Sequence, residues 1–266
     1  MPKVFAPEYG RDEHGWILFP DDVKWRKELF PPEVMKHLAK MHLYLEWELI
    51  KYVSEPGDVL LDPMSGTGTI MLAATMGRTV VCVEIEEPYH NIQRLVLAHL
   101  QSQFDMSPVT LLHGNCKLLL PIPCNHIIFS PPYGSAFKPA NEISDFVKDK
   151  YRVEQDEYQT YAMTTGNVGL HSTFIYNMEM EKVYNLCYKS LPRGGTMSTV
   201  TKDITENGKR IFITKWTTRV CTKAGFVLQD WFKHKIGGGP YQDMRRSQGL
   251  ETIDDEDIMI FIKGAK

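Results

Sequence analysis

Val59-Leu60-Leu61-Asp62-Pro63-Met64-Ser65-Gly66-Thr67-Gly68-Thr69 is the stretch on which the fold turns. Three apolar residues led by a β-branched one and closed by Asp-Pro read as a buried strand. The turn after it carries two glycines and enters residues 69–76, an apolar run of helical length. Strand, glycine turn and helix are the first half of a βαβ unit.

Working outward, the alternation continues. Strand-like runs lie at residues 59–62, 79–85, 109–113, 126–130, 196–201, 226–231 and 258–263. Helical patterns fill the intervals: 32–53 before the first strand, then 69–76, 89–100, 174–191 and 209–223. In the first of these, Val34, Leu38, Met41, Leu45, Leu49 and Ile50 recur at steps that keep to one helical face, and Ser54-Glu55-Pro56-Gly57 stops it. Pro192-Arg193-Gly194-Gly195 and Gly225 stop the fourth and fifth. Strands joined by helices imply right-handed crossovers and a mostly parallel sheet covered on both faces. The expected fold is α/β, a seven-stranded doubly wound sheet whose last strand runs antiparallel, in one domain over residues 1–266. Two stretches break the alternation. Residues 134–169 are too long for a plain connection and read as an inserted lid or target-recognition segment. Residues 233–257, with Gly237-Gly238-Gly239-Pro240 and Arg245-Arg246 inside, read as a recognition loop.

Composition excludes several classes. A chain of 266 residues, 43% hydrophobic and 24% charged, is neither disordered nor fibrous. No apolar run is long enough to cross a bilayer, and residues 1–11 lack the apolar core of a signal peptide, so no membrane and a cytoplasmic location are expected. Cys82, Cys116, Cys124, Cys187 and Cys221 are odd in number and hold no C-x-x-C pair, which argues against disulfides and against a zinc site. No metal is expected. The formal net charge of -3 conceals acidic stretches at 141–157 and 251–257 and a basic one at 202–246, where ten basic residues face four acidic. Lys233, Lys235, Arg245 and Arg246 stand on a glycine-rich segment and are the candidate phosphate contacts.

In a doubly wound sheet the ligand crevice lies at the carboxyl ends of the strands, so Asp62, Ser65, Gly66, Thr67, Gly68 and Thr69 are candidate cofactor-binding residues. Glu84, eighteen residues after Gly66, can accept ribose hydroxyls. The loop lacks the Lys-Ser/Thr of a phosphate loop, and Met71 stands where a dinucleotide fingerprint has its third glycine. Asp62 before the loop repels a pyrophosphate and suits a cationic amino-acid group. The cofactor expected is S-adenosylmethionine.

These residues resemble motif I of the DNA amino-methyltransferases, the N4-cytosine and N6-adenine enzymes. Lys40-Met41-His42 resembles their motif X, which helps to hold the methionine end of the cofactor. His113-Gly114-Asn115 stands where that family has Gly-Asp; the resemblance implies that Asn115 meets the adenine amino group, with an amide oxygen in place of a carboxylate, while the residues alone allow a turn after a strand.

The fourth strand ends in Ser130-Pro131-Pro132-Tyr133. Two prolines remove two donors and fix two φ angles, leaving an acceptor-rich corner. Ser130 and the Pro131 carbonyl can accept both hydrogens of an exocyclic amine, and Tyr133 can stack on an extruded base. The run is similar to the family's motif IV, in which Ser at the first position is commoner among N4-cytosine enzymes. Leu191-Pro192-Arg193-Gly194-Gly195, Val200-Thr201-Lys202-Asp203 and the terminal run 257–263 resemble its later strands. The resemblance implies a Rossmann-like, S-adenosylmethionine-dependent methyltransferase acting on double-stranded DNA, as in restriction-modification, with catalytic residues Ser130, Pro131, Pro132 and Tyr133. Two other readings stay open: an RNA enzyme of the tRNA guanine-N2 type, and a non-catalytic partner subunit of a methylase. C5-cytosine chemistry through Pro123-Cys124 is disfavoured, because that pair precedes the fourth strand and so lies at the wrong end of the sheet. The oligomeric state is left open.

Overall fold

The computed structural model describes residues 3–37, 40–132, 164–206, 209–237, 243 and 246–264. Seven strands form one sheet in the order β3-β2-β1-β4-β5-β9-β8. They are β1 (Val59–Asp62), β2 (Thr79–Glu84), β3 (Val109–His113), β4 (His126–Phe129), β5 (Thr196–Thr201), β8 (Phe226–Lys235) and β9 (Asp255–Lys263). A separate hairpin joins β6 (Ile204–Glu206) to β7 (Lys209–Ile211). The helices are α1 (Val23–Leu29), α2 (Leu43–Val53), α3 (Glu87–Gln101), the single turn α4 (Cys116–Leu119), α5 (Thr173–Ser190) and α6 (Ile213–Ala224). Among the described residues no helix is long and apolar enough to cross a membrane.

β1 pairs in parallel with β2 on one side and with β4 on the other, so the direction of winding reverses between β1 and β4. β9, the last strand, is antiparallel to both neighbours, as the sequence led us to expect. Alternate residues of each strand sort into two cores. Leu60, Val80, Ile128, Val200 and Ile260 pack under α2, α3 and the 3-10 helix Thr69–Met76. Leu61, Val81, Ile127, Met197 and Phe261 pack under α5 and α6. Burial on both faces is why β1, β2 and β4 read as near-continuous apolar runs.

The structure differs from the sequence reading at four places. The expected helix over 32–53 is two pieces, a 3-10 helix Pro32–Lys36 and α2. Asp22 Oδ2 accepts the Leu43 backbone N–H at 2.8 Å and so caps α2 from far along the chain, while Arg26 holds the Met41 carbonyl at 2.7 Å. Those contacts hold the chain extended just before Leu43. Residues 209–223 are likewise not one helix, because β7 occupies their start. β8 runs on to Lys235 and β9 begins at Asp255, which shortens the connection between them to residues 236–254. Lastly, the N-terminal segment, in which the sequence reading saw no element, is part of the core. Phe5, Ala6 and Ile17 are buried, and Ile17 pairs with the β8 edge through Ile17 N to Lys233 O (2.8 Å) and Lys235 N to Ile17 O (3.0 Å).

Candidate active site

The cleft lies where the winding reverses, over the carboxyl ends of β1, β2 and β4. The loop after β1 makes its floor and is held from two sides. Ser65 donates its N–H and its hydroxyl to the Val83 carbonyl, both at 3.0 Å, and Gly66 N donates to Glu84 Oε2 at 2.8 Å. From α3, Gln93 Nε2 reaches Ser65 Oγ at 2.8 Å and the Gly66 carbonyl at 2.7 Å. Both glycines are required. Gly66 has φ 51°, and a Cβ there would stand 3.1 Å from His37 Nε2. Gly68 has φ 81°, and a Cβ would collide with Met71 Cε and press on Gln93.

Glu84 closes β2 with its carboxylate turned into the cleft, where Oε1 also accepts the Glu86 N–H at 2.8 Å. Burial pushes its pKa up to about 7, against the backbone donors that hold it down. Asp62, equally buried, accepts Met64 N at 2.9 Å, and burial raises it well above the ordinary carboxylate range, with Glu46 and Glu84 adding repulsion. The next wall comes from two segments. Gly114 and Asn115 follow β3; Asn115 Oδ1 accepts Lys117 N at 3.0 Å as the cap of α4, leaving the amide NH2 toward the cleft side of Gly166. Gly166, Asn167 and Val168 are tied to β2 by Glu86, which accepts Thr164 N (3.1 Å), Thr164 Oγ1 (2.7 Å) and Asn167 Nδ2 (2.7 Å).

Of the residues singled out from the sequence, Asp62, Ser65, Gly66, Thr67, Thr69, Glu84 and Asn115 line this cleft, together with Lys40 and Met41. Gly68 instead lets the loop pack on Met71 and α3. Ser130, half-buried, and Pro132 open onto the same cleft from the end of β4, with Pro131 buried behind them. Tyr133, the acidic stretch 141–157 and most of segment 134–169 lie outside the described residues. Cys124 sits at the opposite end of β4, buried, with its thiol pushed up to about 12 by burial.

The basic candidates stand differently. Lys233 and Lys235 are on β8. Lys233 Nζ is paired with Asp255 and with Asp257 at 2.9 Å, and Lys235 with Asp12 at 3.2 Å. Arg246 faces Asp243 at 2.9 Å and Asp254 at 2.7 Å. Arg245 lies outside the described residues.

Sequence reasoning missed several members of the cleft, Glu46 on α2, His37, Tyr89 and Glu86, while Gly166, Asn167 and Val168 come from the segment 134–169 that it singled out. Glu46 reads in the sequence as an ordinary solvated position on an amphipathic helix. Nothing local announces the others.

The carboxyl groups, the glycine floor and the acceptor corner fit one cofactor chemistry: a nucleoside whose ribose meets Glu84 and whose cationic amino-acid end meets acid. Fold and cleft together resemble those of S-adenosylmethionine-dependent methyltransferases. Within that class, a family described as DNA methylase matches residues 10–94, which take in α2, the loop after β1 and Glu84. The resemblance to the DNA amino-methyltransferases holds over that stretch.

Solved structures agree on the fold. TrmN from Thermus thermophilus superposes with a TM-score of 0.52 at 16% identity, over 87% of this chain and 52% of its own, so the chain spans about half its length. An S-adenosylmethionine-dependent methyltransferase from Methanosarcina mazei gives 0.51 at 12% identity, covering 82% of this chain and 98% of that one. The precorrin 8W decarboxylase of Methanobacterium thermoautotrophicum gives 0.52 at 12%, covering 92% and 98%. At such identities the likeness is one of fold. No curated protein matches the chain in sequence.

Proposed function

We propose that this chain methylates an exocyclic amine of a base in double-stranded DNA, cytosine N4 before adenine N6. The observation that carries the reading is the position of Ser130 and Pro132: the end of β4 opens onto the cleft that holds Asp62 and Glu84. The family match supports DNA as the substrate class.

S-adenosylmethionine, when bound, supplies an electrophilic methyl group on a sulfonium. The chain's own residues hold and orient. Glu84 accepts ribose hydroxyls, its acceptor capacity beyond the two backbone N–H groups being free for them. The glycine floor admits the nucleoside closely. At the other side Ser130 Oγ and the Pro131 carbonyl accept the two amine hydrogens, which turns the nitrogen lone pair toward the cleft. A neutral hydroxyl is too weak a base to strip the amine, so Ser130 orients, and the proton shed by the methylated nitrogen leaves to water. Most of the acceleration then comes from alignment of an already reactive donor. A base inside a duplex cannot reach this corner, so the target must be extruded from the stack.

The test is methyl transfer from labelled cofactor to duplex DNA and to RNA, followed by nucleoside mass spectrometry. N4-methylcytosine in DNA is the expected product and N6-methyladenine the second. Label in RNA alone overturns the reading. Label in neither, with activity restored to a second subunit, makes the chain a partner rather than an enzyme.

A further inference from the structure

Glu46 is a misfit as a core residue. It lies in the first turn of α2 beside Leu45, Leu49 and Ile50, all fully buried, and is itself 2% exposed. Its Oε2 has no hydrogen-bond partner among the described residues. A leucine or methionine would serve helix packing better, because a buried carboxyl without partners is destabilising. Nor does a neighbour neutralise it. Arg26, the closest buried cation in its surroundings, is committed to Asp22 (2.6 Å), the Met41 carbonyl (2.7 Å) and Thr69 Oγ1 (3.3 Å). Lys40 Nζ is taken up by the carbonyls of Met35 and His37. Yet the carboxyl lines the cleft, on the wall that also carries Asp62.

The acceptors of the cleft can be shared out. Glu84 already accepts two backbone N–H groups and faces the part of the floor suited to ribose. Asp62 spends Oδ1 on Met64 N. A primary ammonium carries three N–H donors and a full charge, more than the rest of Asp62 can satisfy. We propose that the Glu46 carboxylate is the second acceptor for the methionyl ammonium of the cofactor, acting with Asp62, and that it makes the cleft discriminate in favour of ligands carrying that amino group.

This rests on the cofactor assignment above, and the experiment separates the two. Calorimetry is run on the full chain with S-adenosylmethionine, with S-adenosylhomocysteine, which keeps the amino-acid end, and with 5′-methylthioadenosine, which lacks it. In Glu46→Gln the first two are expected to bind about 10- to 100-fold more weakly and methylthioadenosine within about threefold of the unaltered protein. The ligand-free variant should melt no lower than the unaltered protein, since an unpartnered buried acid has been removed; Glu46→Leu gives the same ligand pattern if the amide proves hard to fold. Unchanged affinity for S-adenosylmethionine overturns the proposal, and so does an equal loss for all three ligands. If the unaltered protein binds methylthioadenosine but not S-adenosylmethionine, both this proposal and the cofactor assignment fall.

Discussion

Three of the four carboxyl groups around one cleft make the resting protein sensitive to pH in a direction opposite to that of ordinary surface acids. Burial raises Glu46 from 4.5 to about 8 and Glu84 from 4.5 to about 7, and raises Asp62 as well. The groups facing them are Arg26 and Asp22 from α1, Glu86 beyond β2, and Cys82 within β2. The folded chain therefore keeps protons that the unfolded chain has already lost. Stability contributed by these groups is fully present below the unfolded carboxyl pKa and is lost as pH climbs toward 8. Thermal unfolding of the ligand-free protein should show its midpoint falling between pH 5 and about 8, and S-adenosylhomocysteine should flatten that fall by supplying a cation. A midpoint rising over that range would mean that the three acids are paired in a way the structure does not show. At the end of β4 a different residue-level effect is expected. Pro131→Ala and Tyr133→Ala should lower kcat by about 10- to 1,000-fold while leaving the cofactor Kd unchanged, because they act on the amine. Equal loss of both quantities would misassign the site. The residues of this corner were legible because their chemistry is local: two prolines and a Ser need no distant partner to be noticed. Glu46 was not, since a polar residue on a helix is ordinarily a solvated one, and only tertiary packing shows that this one is inside.

At the scale of elements, the segment at 164–170 sends three hydrogen bonds to a single side chain. Glu86 gathers three donors from it and fastens it beside the end of β2. Glu86→Ala should lower the local opening free energy of residues 164–170 by about 1–3 kcal/mol. Hydrogen exchange would show faster amides there with the amides of β1 and β4 unchanged, together with weaker cofactor binding. Uniformly faster exchange would make Glu86 a residue of the global core instead. The parallel strands themselves were readable almost to the residue, because they are short runs of β-branched and apolar residues bounded by turn formers. The break before α2 was not. Its cause is Asp22, twenty-one residues upstream of Leu43, and no local propensity carries that information. The same holds for the β6–β7 hairpin, too short to show a period of its own.

For the whole molecule, two consequences follow from what covers the sheet and what neutralises its charge. Ile17 and its neighbours occupy the outer edge of β8. Removing residues 1–19 would uncover a strand of ten residues and take Phe5 and Ile17 out of the core, so the shortened chain should be poorly soluble or associate. A monomeric, stable product by size-exclusion chromatography would show that β8 protects itself. Charge bears on DNA binding. With a net -3 and with Lys233, Lys235 and Arg246, three of the four candidate phosphate contacts, already facing carboxylates, those side chains have little free charge to replace counterions on a phosphate backbone. Affinity for duplex DNA should be modest, with a log-log salt slope corresponding to roughly three to five phosphates. A steeper slope would require those ion pairs to open on binding.

The reversed direction of β9 has a consequence for how such a protein can change over generations. Because β8 and β9 are antiparallel neighbours, the chain between them leaves and re-enters the sheet at the same end, where Ile236 N meets the Asp254 carbonyl at 3.0 Å. A parallel crossover has to span the sheet and keeps its helix. This excursion has no such duty, and its closure entropy grows only with the logarithm of its length. Insertions, deletions or wholesale exchange between residues 236 and 254 therefore leave the strands, the glycine floor and the acid cluster untouched. Target preference, where that segment reads it, is free to diverge rapidly while the methyl-transfer chemistry stays as it is.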